Sequence, residues 1–557
     1  MFKLYFKLIE ALYAKNFKKS CEAPLDAQYK LLISILKKNK NTLYGKKYSF
    51  SEISSFDSFR KNVPLVKYSE ISSYIDTIKD GGTNILTKKS PSYFSETAGT
   101  TSSPKYLPLS ESYVKKRSRA WKIWESELFN NHPDAFQLDK KIITFTSKPI
   151  EGISKSGISY GNVSGLIRSI QPKIVNSLYA VPEEIMYVDD YHLRYYLIAL
   201  FSLRENCSLV VTPNPSTLVV FAKFINENFQ EILRDYKYNS ISQLGKSTLD
   251  NNLKDAILKK FENQEKNQQT YHSLKNLQNN EHKLHEIFGN LTIGTWTSGS
   301  VGYYISQLKE AFGDDIYIKE IGFMASEGRF SIPMAENDFG ESVFDITTNF
   351  YEFIEVENYR ENDSNQNTLL IHELELGKQY YIILTNECGL YRYQIDDIVE
   401  ITGIYRKTPT MKFVQKGKYV ASLTGEKVSE WEIIESLKQT QQELSLPIKS
   451  FICVPEHKKE GVLYNFYIHE NSYSKKELNL ISKTIDTKLI SLNIEYEQKR
   501  KSMRILQCSV QEVPHNFFMD LRKSYAKGGK HDYQIKVPKL IVLEKDKIIV
   551  EKLLKEN

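Results

Sequence analysis

The chain has 557 residues, with 75 Lys and Arg against 68 Asp and Glu, a formal charge of +7. So thin an excess over such a length excludes a dedicated nucleic-acid binder, which needs a concentrated basic face. The 41% hydrophobic share excludes a disordered chain, and the length supports about two to four domains with deep cores.

At the N-terminus, Phe2, Tyr5, Ile9, Leu12 and Tyr13 fall at helical spacing among lysines. The spacing predicts a helix docked on the body, with a helix lying on a membrane surface as the competing reading. Helices and short loops are expected up to about residue 140. Lys141-Ile-Ile-Thr-Phe-Thr146 and Ser208-Leu-Val-Val-Thr212 then read as strands, the second followed by Pro213-Asn-Pro215 and a helical run from Leu218 to Leu233. Strand, turn and helix in that order predict a sheet flanked by helices. The best candidate for a membrane span, Tyr195 to Leu203, is about nine residues where about 20 are needed, so no stable membrane insertion is expected.

Residues 235–290 are rich in Lys, Asn, Gln and Glu and read as solvent-exposed helices; His282 and His285 lie there without a third ligand, on a solvated face. From 349 to 420 the chain changes texture. Tyr380–Thr385, Ile398–Thr402 and Met411–Val414 read as strands of a barrel-like meander, separated by tight turns. Beyond them, Leu478, Ile481, Ile485, Leu489 and Leu492 mark one buried helix face. The expected architecture is α/β: a large N-terminal domain over 1–417 and a smaller α+β domain over 418–557. Cys21, Cys207, Cys388, Cys453 and Cys508 are odd in number and widely spaced, which suits isolated reduced thiols in a cytoplasm.

Among the motifs, Ser95-Glu-Thr-Ala-Gly-Thr-Thr-Ser-Ser-Pro-Lys105 gathers hydroxyl side chains around a glycine. Amides and hydroxyls of such a loop can face polyphosphate oxygens, with Lys105 adding charge, although a plain surface turn has the same composition. Gly245-Lys246-Ser247 ends like a P-loop but lacks its upstream glycine and strand. Gly157-Ile-Ser159-Tyr-Gly161 matches the nucleophile-elbow spacing with a polar run where a strand belongs. Two acids follow strand-like segments, Glu327 in Ile321-Gly-Phe-Met-Ala-Ser-Glu-Gly and Asp397 in Gly389-Leu-Tyr-Arg-Tyr-Gln-Ile-Asp-Asp. Carboxylates at strand ends suit Mg²⁺ or ribose hydroxyls. With the hydroxyl-rich loop they make up the parts of an ATP site.

Taken in order, these residues resemble the GH3 family of acyl acid amido synthetases, a branch of the adenylate-forming enzymes. The resemblance runs through Asn41-Thr-Leu-Tyr-Gly45, Val63-Pro-Leu-Val-Lys-Tyr68, Thr97-Ala-Gly-Thr-Thr101, Trp296-Thr-Ser-Gly-Ser300, Met324-Ala-Ser-Glu327, Tyr391-Arg-Tyr-Gln-Ile-Asp-Asp397, Gly425-Glu-Lys427 and Tyr533-Gln-Ile-Lys536. It implies a mobile C-terminal domain, ATP and Mg²⁺ as cofactors, and a small carboxylic acid and an amine or amino acid as partners. Thr97, Ala98, Gly99, Thr100 and Thr101 would wrap the phosphates. Ser326 and Glu327 would lie by the α-phosphate, Glu327 also holding the metal, and Asp397 would bind the ribose. Lys427 and Lys536 would bring catalytic charge. Arg119, Tyr160 and Phe323 are candidates for the acyl pocket. The family usually has serine at Ala98 and glycine at Asp396, and its middle glycine pair reads Ser298-Gly299 here. The implied reaction adenylates a carboxylic acid and passes the acyl group to an amine. Transfer to coenzyme A or an alcohol is the alternative, as is binding without turnover.

Overall fold

The strand-turn-helix pattern around residue 210 builds a parallel sheet. The computed structural model describes the chain apart from residues 1, 98–103, 138, 266–267, 276, 278–281, 299–303, 335–340, 361–362, 418–419, 447, 449, 470–471, 515, 527–536 and 557. It divides into two compact units, Met1–Glu96 with Lys105–Val414, and Gln415–Asn557 grouped with Thr97–Pro104.

In the first unit, Lys141–Thr144, Cys207–Val211, Thr292–Thr295 and Ile318–Glu320 lie side by side, all parallel. Parallel sheets need cover on both faces. The helices Tyr191–Leu203 and Pro215–Tyr238 bring Tyr196, Leu200, Leu218, Phe221 and Ile225 into one core with Ile143, Val210 and Ile293. The longer helix starts at Asn214, whose side chain accepts from the Ser216 amide, with Pro215 at its first position. It stops at Asn239 in the left-handed region, φ 56°.

The meander is a six-stranded sheet in the order 350–355, 379–385, 393–405, 408–416, 342–344 and 331–332. Helices of the first 80 residues cover it, packing Leu32, Leu36, Phe59, Ile71 and Ile75 into one core with Phe353, Tyr380, Ile382 and Val399. A smaller sheet joins Tyr93–Thr97 in parallel to Ser159–Gly161. Ser159 therefore lies within a strand and not at a strand-to-helix elbow.

The polar stretch 235–290 is less exposed than its composition predicts. Ile257, Phe261, Leu274 and Leu284 are buried, because sparse apolar residues at helical spacing still make a narrow inward stripe. His282 is no solvated side chain: it is 8% exposed and packs on Phe229 with ring centroids 5.0 Å apart. His285 Nδ1 lies 2.8 Å from the Phe312 carbonyl oxygen. Among the described residues no three His, Cys, Asp or Glu side chains gather as a metal site.

The second unit pairs Phe451–Lys458 antiparallel with Gly461–His469, which pairs in parallel with Ser509–Val513. Helix Lys475–Leu492 buries Ile481, Ile485 and Leu489 in its core. All five cysteines are free and buried. Among the described residues no helix is long and apolar enough to cross a membrane.

Candidate active site

Ligands of open α/β sheets bind beyond the carboxyl ends of the strands. There, Glu320 closes the strand Ile318–Glu320 and ties two loops together. It is 5% exposed and accepts from the Thr297 amide at 2.8 Å, the Thr297 hydroxyl and the Gly322 amide at 2.7 Å. Burial pushes its carboxyl up, and those donors pull part of the way back.

From Gly322, at φ 87°, the chain enters a tight turn. Ala325 N donates to Gly328 O at 2.8 Å and Gly328 N to Ala325 O at 3.2 Å, leaving Ser326 and Glu327 at the tip. The long helix Glu111–Asn131 grips this turn. Arg117, 5% exposed, donates to the carbonyls of Ser326 at 3.1 Å and Ala325 at 3.0 Å. The Tyr113 hydroxyl lies 2.6 Å from Asn349 Oδ1 and 3.1 Å from the Glu327 carbonyl, to which Asn386 Nδ2 also donates at 3.2 Å. Gly328 permits this approach: a Cβ there would stand 2.6 Å from the Tyr113 hydroxyl. The Glu327 residue is 9% exposed, and its carboxylate bonds to no described residue. The Arg117 guanidinium is a charge within its electrostatic reach. A buried acid left with open acceptor positions is poised for a ligand or a cation.

Asp397 is aimed by a bulge. Tyr381 pairs with Ile398 and Ile383 with Gln394, so Ile395, Asp396 and Asp397 oppose Ile382 alone. Bulges re-aim side chains in this way. Asp396 takes up the distortion at φ 59°, a conformation that suits glycine and that Asp tolerates better than most. The strand is anchored by Arg392, whose Nε and Nη2 each lie 3.0 Å from the Glu352 carboxylate while Nη1 donates to Val63 O at 2.8 Å. Tyr393 lies within electrostatic reach of both acids. Burial, with the charges of Glu327, Asp396 and Asp397 around it, holds its phenol well above the usual range. Glu327 and Asp397 thus share one neighbourhood.

The other expected residues make contacts of their own. Arg119 donates to the hydroxyls of Thr347 at 2.7 Å and Thr348 at 3.2 Å, so its adjacent Arg117, and not Arg119, reaches the Glu327 turn. Phe323 sits in the core against Phe330 at 4.8 Å and Phe413 at 5.0 Å. Tyr160 meets Tyr106 edge to face at 5.2 Å. Thr97 ends the strand Tyr93–Thr97, with 5% exposure. Ala98, Gly99, Thr100, Thr101 and Lys536 lie outside the described residues.

In the second unit, the strands Val420–Ala421 and Val428–Ser429 frame a turn that presents Lys427. Glu426 is fully buried and accepts from the amides of Leu423 at 3.0 Å and Thr424 at 2.7 Å, and from the hydroxyls of Thr424 and Tyr464. Lys427 is held at φ 54°. Its ammonium is near Glu495: burial pushes that carboxyl up, but Lys499, Lys427 and Arg504 outweigh it and hold Glu495 below its usual range. The bracing residues Tyr113, Asn349, Asn386 and Glu426 carry no local signature in the sequence. Nor does Glu320, which follows Lys319 at the end of a strand only three residues long.

Three contiguous stretches match known domains. Residues 13–316 match the GH3 family N-terminal domain, 342–416 the GH3 family central domain and 432–545 the GH3 family C-terminal domain. An indole-3-acetic acid-amido synthetase of Arabidopsis thaliana is 23% identical, over 93% of this chain and 90% of that protein. A 4-substituted benzoates-glutamate ligase of Arabidopsis thaliana is 22% identical, over 96% of each. Among solved structures, a GH3.15 acyl acid amido synthetase in complex with 2,4-DB superposes with a TM-score of 0.64 at 20% identity, covering 97% of this chain and 95% of that one. A 2-hydroxyisobutyryl-CoA ligase shares the fold at a TM-score of 0.53 and 11% identity, over 98% and 94%.

Proposed function

The chain belongs to the GH3 family, and from that premise we propose that it is an ATP-dependent acyl acid amido synthetase. It adenylates a small carboxylic acid and transfers the acyl group to an amine, with an amino acid as the expected acceptor. The observation that supports this most is the pairing of a clamped, unengaged Glu327 carboxylate with Asp397 around Tyr393.

A carboxylate is a poor electrophile because its charge repels an incoming amine. Attack of one carboxylate oxygen on the α-phosphorus of ATP forms the acyl–phosphate bond and expels pyrophosphate. The amine then attacks the acyl carbon, the amide forms, and AMP leaves. Preorganised groups lower both barriers by meeting charge where it develops. Thr97, Ala98, Gly99, Thr100 and Thr101 take the phosphates, Ser326 and Glu327 face the α-phosphate, and Asp397 accepts from the ribose hydroxyls. Lys427 and Lys536 supply positive charge from the smaller domain, whose movement separates the two half-reactions. Magnesium fits this arrangement. The Glu327 carboxylate has open acceptor positions and would be the residue that holds the ion. When bound, it offsets phosphate charge. Five buried unpaired thiols support a reducing compartment, the cytoplasm.

Purified protein incubated with ATP, Mg²⁺ and a matrix of acids and amino acids is expected to release AMP only in matched wells, with the amide identified by mass. A thioester or ester product, with no amide from any amino acid, overturns the acceptor assignment.

A further inference from the structure

The helix Phe2–Ile9 and the π-helical turn Glu10–Ala14 that continues it are apolar on two sides, and only one side is seated. Inward, Phe6, Ile9, Ala14 and Phe17 are buried, Phe6 stacking on Phe129 with centroids 4.4 Å apart. Outward, Leu4, Leu8 and Leu12 are 76%, 54% and 50% exposed, with Tyr5 at 37% beside them. In an α-helix, residues four apart drift around the axis by roughly 40° each time. The wider π turn at Glu10–Ala14 offsets that drift between Leu8 and Leu12, which keeps the three leucines together as one outward ridge.

The charge along this ridge is mainly positive, with Glu125 of the neighbouring helix within electrostatic reach of Tyr5. Lys15 and Lys19 continue its line and Lys7 flanks it; all three are exposed, and none pairs with a described carboxylate. Lys18, turned inward, is spent on Glu127 at 2.8 Å. Glu10 is the only acid among the first twenty residues. A leucine ridge bordered by unpaired lysines on a helix already fixed to its domain has the chemistry of an interfacial helix: apolar side chains enter the headgroup boundary and lysines meet lipid phosphates. We propose that this ridge is a peripheral docking surface for anionic lipid bilayers. Lysine charge complementarity selects the bilayer over a second copy of the chain, since two such ridges facing each other would set like charges side by side. The contact is reversible, because three leucines bury far less than a spanning helix does. The inference does not depend on the catalytic reading.

The test is flotation of the full chain with vesicles of phosphatidylcholine containing roughly a third phosphatidylglycerol, against vesicles of phosphatidylcholine alone. The protein is expected to float with the anionic vesicles at low salt and to be released as salt rises. Lys7→Glu/Lys15→Glu/Lys19→Glu and, separately, Leu4→Ser/Leu8→Ser/Leu12→Ser are each expected to weaken vesicle binding more than about tenfold. Both variants should keep the wild-type rate of AMP formation in solution, since none of these residues touches the candidate site. Equal binding to both vesicle types, or unchanged binding by either variant, overturns the proposal. So does concentration-dependent dimerisation that the leucine substitutions abolish, which would assign the ridge to a second copy.

Discussion

Two tight turns carry the candidate chemistry, and they are held by opposite means. The Ala325–Gly328 turn is clamped from afar: Arg117 and Tyr113 lie more than two hundred positions upstream and Asn386 lies 59 downstream. The turn that presents Lys427 is held mainly by its own Glu426, which accepts from residues two and three positions before it. A turn braced from a distance exists only when its whole domain is folded. A turn braced by its neighbour keeps its shape with little outside help. The first suits a fixed carboxylate, and the second suits a lysine carried on a separate compact unit.

Substitutions can break this contrast. Arg117→Ala is expected to have the largest effect, because it leaves the part-buried Ser326 carbonyl without its donor, the Ala325 carbonyl with the Gly328 amide alone, and Glu327 without the cation in its reach. A loss of about 3 kcal/mol in the first unit's stability, by denaturant unfolding, should accompany a collapse of the adenylation rate. Glu426→Gln retains an acceptor oxygen but loses the charge that four donors share. It should cost about 2 kcal/mol, confined to the unfolding transition of the second unit. If it lowers the first unit's transition instead, the contrast fails. Tyr113→Phe keeps the ring and removes one donor from the clamp, with Asn386 still bonded to the Glu327 carbonyl, so about 1 kcal/mol is expected, with kcat falling further than KM rises.

Glu125 gives the smallest effect, and one that depends on pH. It lies on the helix that clamps the turn, and burial pushes its carboxyl up to about 7, with Lys122 and Arg329 opposing. In the unfolded chain it titrates near about 4.3. The folded form therefore loses stability as pH rises between those values and loses none below both. Glu125→Gln removes that cost. The full shift corresponds to about 3–4 kcal/mol, which solvent screening of the part-exposed side chain reduces to roughly 1 kcal/mol. The variant should therefore be the more stable at about pH 8, by thermal midpoint, with no gain near the unfolded value.

The contrast also explains how much was legible in the sequence. Strands such as Cys207–Val211 and the helix Lys475–Leu492 are written in local periodicity, and their positions could be read directly. Glu327 and Asp397 stood out as acids after strand-like segments, and both lie within electrostatic reach of the buried Tyr393. The clamp was not legible, because Tyr113, Arg117, Asn349 and Asn386 have no spacing relation to the turn they hold. That Arg117 reaches the turn and Arg119 does not follows from the helix, which puts residues two apart on different sides. The histidine pair misled for the related reason that a polar-looking segment can bury a single narrow stripe.

The central claim is that Glu327, fixed by the clamp and left unengaged, serves the chemistry at the α-phosphate. The most direct test is exchange of labelled pyrophosphate into ATP with a matched acid, comparing the wild type with Glu327→Gln. The account predicts acid-dependent exchange in the wild type. In the variant the exchange should be slower on the order of a thousandfold, with unfolding unchanged because the clamp bonds to backbone carbonyls. Exchange at wild-type rate in the Glu327→Gln protein would contradict it.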